Sequence, residues 1–179
     1  PQNFKDVSIM FTDFVGFTDN STTMKPRDLI DELNEMFLKF DEIIEENGCE
    51  RIKTIGDAYL AVSGMRTPDE NHANNMVNSA KDILKYLEEK NSSSTMKWEV
   101  RIGINSGDIV GGIVGSKKYI YDIFGDSVNL ASRMECYSEP MKINISENTK
   151  ELLSNKHVIE KREEINVKGK GLTQMFFVS

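Results

Sequence analysis

The chain has 179 residues, 39% of them hydrophobic and 28% charged, proportions of one globular domain with its own core and not of a disordered chain. Its 29 acidic residues outnumber the 22 basic ones for a formal charge of −7, which argues against a general nucleic-acid binder. No apolar run approaches the roughly 20 residues that cross a bilayer, and the two cysteines, Cys49 and Cys136, form no spaced cluster of the kind zinc sites or disulfide frameworks use, which fits a reducing compartment.

The chain opens at Pro1 without a Met or a basic-then-apolar signal segment, so it is read as a piece of a longer protein. Val7, Ile9 and Phe11 alternate with Ser8, Met10 and Thr12, which predicts a first strand. After Pro26, Leu29, Leu33, Met36, Phe37, Phe40, Ile43 and Ile44 recur every three to four residues; this is a helix opened by the proline and closed at Gly48. Two β-prone runs, 50–55 and 58–63, flank Gly56-Asp57, which reads as a hairpin turn. A second helix is predicted over 69–90, with Met76, Val77, Ala80, Ile83, Leu84 and Leu87 on one face. Trp98, Val100, Ile102 and Ile104 then alternate as a long strand, and the Gly-rich run 108–115 predicts a further one. Asp126 is placed as the cap of a helix to about Tyr137. A strand near 142–145, a helix near 147–153 and closing strands around 159–167 and 175–178 complete the chain. The order β-α-β-β-α-β with extra elements behind it predicts an α+β fold: a ferredoxin-like βαββαβ core, helices on one face, and additional C-terminal α/β elements.

Asp13 ends the first strand and Asp57 sits at the hairpin tip. Each alone is an ordinary turn residue. A hairpin lying beside the first strand would bring the two together, and paired carboxylates at a sheet edge can hold hard divalent cations and, through them, phosphates. Asn129 and Arg133 are four apart on a predicted helix and share a face. His72 and His157 have no Cys or carboxylate partners at metal spacing and are read as non-catalytic.

Five strings raise these isolated signals. FTDFVGFT (11–18), RIKTIGDAYLAVSG (51–64), VRIGINSGDIVGGIVG (100–115), YDIFGDSVNLASRM (121–134) and INVKGKG (165–171) together resemble, in order and over almost the whole chain, the catalytic domain of class III adenylyl and guanylyl cyclases. The resemblance implies one nucleotidyl cyclase catalytic domain over 1–179. It implies two divalent cations per site, Mg2+ or Mn2+, held by Asp13 and Asp57. It further implies that the backbone of Phe14, Gly16, Phe17 and Thr18 cradles phosphates, that Asn129 positions the ribose, and that Arg133 meets the charge developing on the α-phosphoryl group. Arg101, otherwise a surface charge, and Lys168, in a turn it shares with Lys170, would reach the triphosphate.

Base choice would rest on Lys53 and Asp122. A lysine can donate to adenine N1 and an aspartate can accept from its 6-amino group, whereas guanine reverses both edges. The guanylyl branch of the family has Glu and Cys there, so the pair implies ATP as substrate and adenylate cyclase as activity. Guanylate cyclase and a catalytically weak nucleotide-binding dimerisation module in signalling are the alternatives. The family builds its site between two catalytic domains, and this chain carries both halves, which implies a homodimer. The segment 115–121, with Lys117, Lys118, Tyr119 and Tyr121, is either an arm reaching a partner or an ordinary hairpin loop. The resemblance also implies a sensor or regulatory domain N-terminal to this one, and a cytoplasmic location, whether free or as part of a membrane-bound protein. No nucleic acid and no membrane contact by the domain itself are expected.

Overall fold

The computed structural model describes all 179 residues. Its elements run β1 (Gln2–Phe14), α1 (Phe17–Thr23), α2 (Pro26–Glu46), β2 (Cys49–Ile55), β3 (Ala58–Ser63), α3 (His72–Ser92), β4 (Val100–Val114), β5 (Ile120–Phe124), α4 (Asp126–Cys136), β6 (Ile143–Ser146), α5 (Glu147–Leu152), β7 (Ile159–Lys161), β8 (Ile165–Val167), β9 (Gly171–Thr173) and β10 (Met175–Val178). The main sheet has the order β2-β3-β1-β4-β6-β10-β7, with β5 folded back on β4 and β8-β9 forming a separate small hairpin. The first four strands in that order, with α2 and α3 as crossovers, are the ferredoxin-like core expected from the sequence.

The period-2 and period-3.6 patterns become two faces of the sheet. Met10 and Phe14 of β1 and Ile102 and Ile104 of β4 meet Met36, Phe37, Phe40, Ile43 and Ile44 of α2 and Met76, Ala80, Ile83 and Leu87 of α3 in the larger core. Pro26 stands at the start of α2, and past its end Gly48 adopts φ +74, the left-handed conformation that lets the chain turn into β2. The intervening residues of β1, Val7 and Ile9, point to the other face with Leu60 and Val62.

That second face corrects the expectation of helices on one side only: Val128 and Ala131 of α4 cover it. The physical reason is a groove of glycines in β4. A Cβ on Gly103 would lie 1.9 Å from the Glu135 backbone nitrogen, and one on Gly107 would lie 2.4 Å from Ser127 Oγ, so α4 rests directly on the strand backbone. The apolar alternation lapses at Asn105-Ser106-Gly107, which hid the length of β4. The predicted strands over 98–104 and 108–115 are one strand, paired with β1 from Phe14↔Val100 to Gln2↔Gly111. Other differences are local. The predicted strand over 159–167 divides into β7, which pairs with β10, and β8, which pairs with β9. Gly125, not Asp126, is the N-cap of α4; Asp126 is the first helical residue, where its charge still suits the helix dipole. The segment 115–119 is the loop of the β4–β5 hairpin, whose first ladder pair is Val114↔Ile120.

Candidate active site

Asp13 and Asp57 are brought together by strand pairing. β3 lies antiparallel to β1, with Thr12 opposite Tyr59, and only Gly56-Asp57 joins β2 to β3. Gly56 takes φ +58 in that two-residue turn, where a side chain would be strained. The Asp57 carboxyl is pushed up to about 6, first by removal from water and then by the hydrogen bond and charge of Asp13, while backbone hydrogen bonds from Asp57 itself and Phe14 oppose the rise. Two carboxylates that repel at one strand end are a hard-oxygen donor set that fits divalent cations.

Arg101 stands directly across from Asp13 in the β1–β4 ladder, and its Nη2 is 3.7 Å from Asp13 Oδ2. On its other side Nε is 3.8 Å from Glu135 Oε2. Glu135, 8% exposed, is pushed up to about 7 by burial first and next by the Asp13 charge, with Arg101 pulling the other way. One guanidinium therefore faces carboxylates from two elements, β1 and α4. The sequence reading missed Glu135. A signal was present: Val128, Ala131 and Glu135 fall at i, i+3 and i+7, so a charge occupies the buried stripe of α4.

The loop after β1 is anchored by its aromatic side chains. Phe14 is 6.5 Å from Phe17, 6.2 Å from Phe37 and Phe40 and 5.7 Å from Trp98, ring centre to ring centre. The side chains of Phe14 and Phe17 thus serve the core, leaving backbone for any ligand. Gly16 is exposed at φ +66, with nothing within 4 Å of a Cβ placed there, and Thr18 is exposed in the first turn of α1.

Lys53 and Asp122 also meet. A bulge in β2 between Arg51 and Lys53 re-aims the strand, and Lys53 Nζ donates to Asp122 Oδ2 at 2.5 Å. Asp122 Oδ1 accepts from the Ile123 backbone N–H at 2.8 Å, which fixes the carboxylate. Both side chains are partly buried, 29% and 15% exposed.

Asn129 and Arg133 occupy successive turns of α4 away from its buried Val128, Ala131 and Met134. Neither forms an ion pair or side-chain hydrogen bond with Asp13, Asp57, Lys53 or Asp122. Lys168 is exposed in the β8–β9 turn, where Lys170 N–H donates to Val167 O at 2.9 Å. This hairpin is tethered to α4 through Val167 packed with Met134, but no contact joins Lys168 to the carboxylates. A cleft of about 1200 Å3 lies at the opposite end of β3 around Gln2, Asp6 and His72, and neither the metal carboxylates nor the candidate nucleotide-binding residues line it.

The upward shifts of Asp57 and Glu135 have a consequence for stability. The folded chain binds these protons more tightly than the unfolded chain, so their contribution is most favourable below their ordinary pKa values and is lost as pH rises from about 4 to about 7. The metal-free domain is expected to lose melting temperature between about pH 5.5 and about pH 8 by more than Asp57→Asn does. Thermal melts of both proteins at both values check this; an equal loss contradicts it.

The sheet order makes this a mixed α+β domain, with a carboxylate pair at the end of β1. The sequence profile of the family described as "Adenylate and Guanylate cyclase catalytic domain" matches residues 1–179, and the chain belongs to this family. It is 34% identical over 175 residues to an adenylate cyclase of Mycobacterium bovis, covering 98% of this chain and 40% of that protein. It is 38% identical over 186 residues to a receptor-type guanylate cyclase of Caenorhabditis elegans, covering 99% of this chain and 16% of that protein. Among solved structures it is similar to the guanylate cyclase domain of RhGC from Catenaria anguillulae in complex with GTP, with TM-score 0.96 and 34% identity, covering 100% and 98% of the two chains. The chain thus spans well under two thirds of the first two relatives, which differ in the nucleotide their names imply.

Proposed function

We propose that this domain converts ATP to 3′,5′-cyclic AMP and pyrophosphate at sites shared between two copies of the chain. The observation that carries the reaction is the meeting of Asp13 and Asp57 beside Arg101 at one end of β1. Asp13 and Asp57 would hold two divalent cations, Mg2+ or Mn2+. Bound there, these would supply Lewis acidity toward the ribose 3′-hydroxyl and neutralise the triphosphate. The backbone of Phe14, Gly16, Phe17 and Thr18 borders the phosphates, and Arg101 and Lys168 meet their charge. Asn129 orients the ribose. Arg133 stabilises charge on the α-phosphoryl group as the 3′-oxygen bonds to phosphorus and pyrophosphate departs.

Lys53 and Asp122 favour ATP. A fixed donor beside a fixed acceptor matches adenine N1 and its neighbouring 6-amino group, and it sets two like groups against the corresponding edge of guanine. The homodimer is supported by two features. Asn129 and Arg133 are not brought to the carboxylates within one chain. The β4–β5 hairpin also exposes Ile113 (69%), Tyr119 (72%), Ile120 (54%) and Phe124 (46%), an apolar patch that a second copy would cover. In the longer protein we place a regulatory or sensor domain ahead of this one, in keeping with the greater length of the relatives. A cytoplasmic location fits a nucleotide substrate and the two free cysteines; no helix is long and apolar enough to cross a membrane.

The test is product identification. The purified domain with Mn2+ should form cyclic AMP from ATP in preference to cyclic GMP from GTP. Predominant cyclic GMP would make it a guanylate cyclase, and no product from either nucleotide would favour a non-catalytic dimerisation module.

A further inference from the structure

Arg101 lies between two carboxylates and is hydrogen-bonded to neither. Its distances, 3.7 Å to Asp13 and 3.8 Å to Glu135, are ion-pair contacts beyond hydrogen-bond reach. Its Nε is buried without any hydrogen-bond partner. An orphaned charged donor is costly, and a shift of about 1 Å would bring Nε onto Glu135. Glu135 is there because of Gly103, two residues along β4 from Arg101: without a Cβ at that position the last turn of α4 can touch the strand. Glu135 is 8% exposed, so little water competes for its carboxylate. Arg101 is the cation that stands at ion-pair distance from Glu135.

We propose that Glu135 is a positioning residue that draws Arg101 off Asp13, freeing the Asp13 oxygens for metal while holding the guanidinium toward the nucleotide. This rests on the two-metal reading above and adds a residue and a role to it. Without the Glu135 charge, Arg101 has Asp13 as its one nearby counter-ion and competes with the cations there. With Arg101 also removed, that competition is gone and Glu135 no longer matters to the metals through it.

The experiment is a double-mutant cycle of Glu135→Gln and Arg101→Ala. Metal binding is read without turnover, as free Mn2+ by electron paramagnetic resonance in the presence of 3′-deoxy-ATP, which lacks the attacking hydroxyl. Glu135→Gln is expected to raise the half-saturating Mn2+ concentration by about tenfold, the scale of one charge-assisted contact. In the Arg101→Ala background the same change should shift it by less than about twofold. Glu135→Asp, which keeps the charge, should fall between wild type and Glu135→Gln, and it substitutes in the cycle if Glu135→Gln does not fold by circular dichroism. An unchanged Mn2+ affinity in the single variant overturns the proposal. So does an equal loss in both backgrounds, because Glu135 would then act on the metals directly or through the fold. If the wild-type domain itself binds no Mn2+ with the analogue, the two-metal reading fails; if it binds and only the cycle fails, the positioning role alone is lost.

Discussion

Asp13→Ala and Asp57→Ala are each expected to cut cyclic AMP formation by about a thousandfold or more, with the melting temperature kept or raised. Activity falls because the proposed cations would lose one of two carboxylate holders at the point where the 3′-oxygen must be activated. Stability does not, because neither side chain belongs to a core cluster. Asp57 is also desolvated beside a like charge, a burden its removal relieves. Mn2+-dependent turnover and circular dichroism melts measure the two halves of this prediction. Near-normal turnover in either variant would refute the metal assignment.

Lys53→Glu combined with Asp122→Cys is expected to reduce kcat/KM for ATP by orders of magnitude and to raise it, by less, for GTP. In the native pair a guanine would set its N1 donor against the Lys53 ammonium and its O6 acceptor against the Asp122 carboxylate. Groups left unpaired in a closed site cost about 1–3 kcal/mol each, more when charged, so two such mismatches discriminate strongly. The double change removes both conflicts and offers an acceptor to guanine N1. The gain lags the loss because Asp122 also accepts from Ile123 N–H, and a thiol does not reproduce that bond. Measuring kcat/KM for both nucleotides in both proteins decides the matter. An unchanged ATP/GTP ratio would mean that this pair does not read the base.

The residues differ in how openly the sequence displayed them. Gly56-Asp57 between two β-prone runs left a two-residue hairpin as the simplest reading, and the adjacency of Asp57 to Asp13 followed once β3 paired with β1. Local chemistry alone determined that part. The side of the sheet that α4 covers was not local. It depends on Gly103 and Gly107 yielding their Cβ space to Glu135 and Ser127, residues 20 or more positions away, and a pattern of apolar residues does not record where backbone is left bare. The run Asn105-Ser106-Gly107 interrupted the alternation of β4 and made one strand look like two. α1 escaped notice because FTDNSTT has no apolar stripe and buries no residue. Glu135 was overlooked because its neighbours Arg133 and Asn129 drew the reading to the open face of the helix, whereas Glu135 lies on the buried one.

Mixing two inactive variants tests the central claim, a cyclase site shared between two copies of this chain, most directly. Asp57→Ala lacks a metal carboxylate and Arg133→Ala lacks the transition-state cation, so each homodimer should be dead. In a heterodimer one of the two sites draws every wild-type residue from the correct chain. Random pairing makes half of the dimers heterodimers, with one good site of two, so an equal mixture is predicted to recover about one quarter of wild-type cyclic AMP formation. If each chain built a complete site of its own, the mixture would stay as inactive as its parts, and the shared-site account would be contradicted.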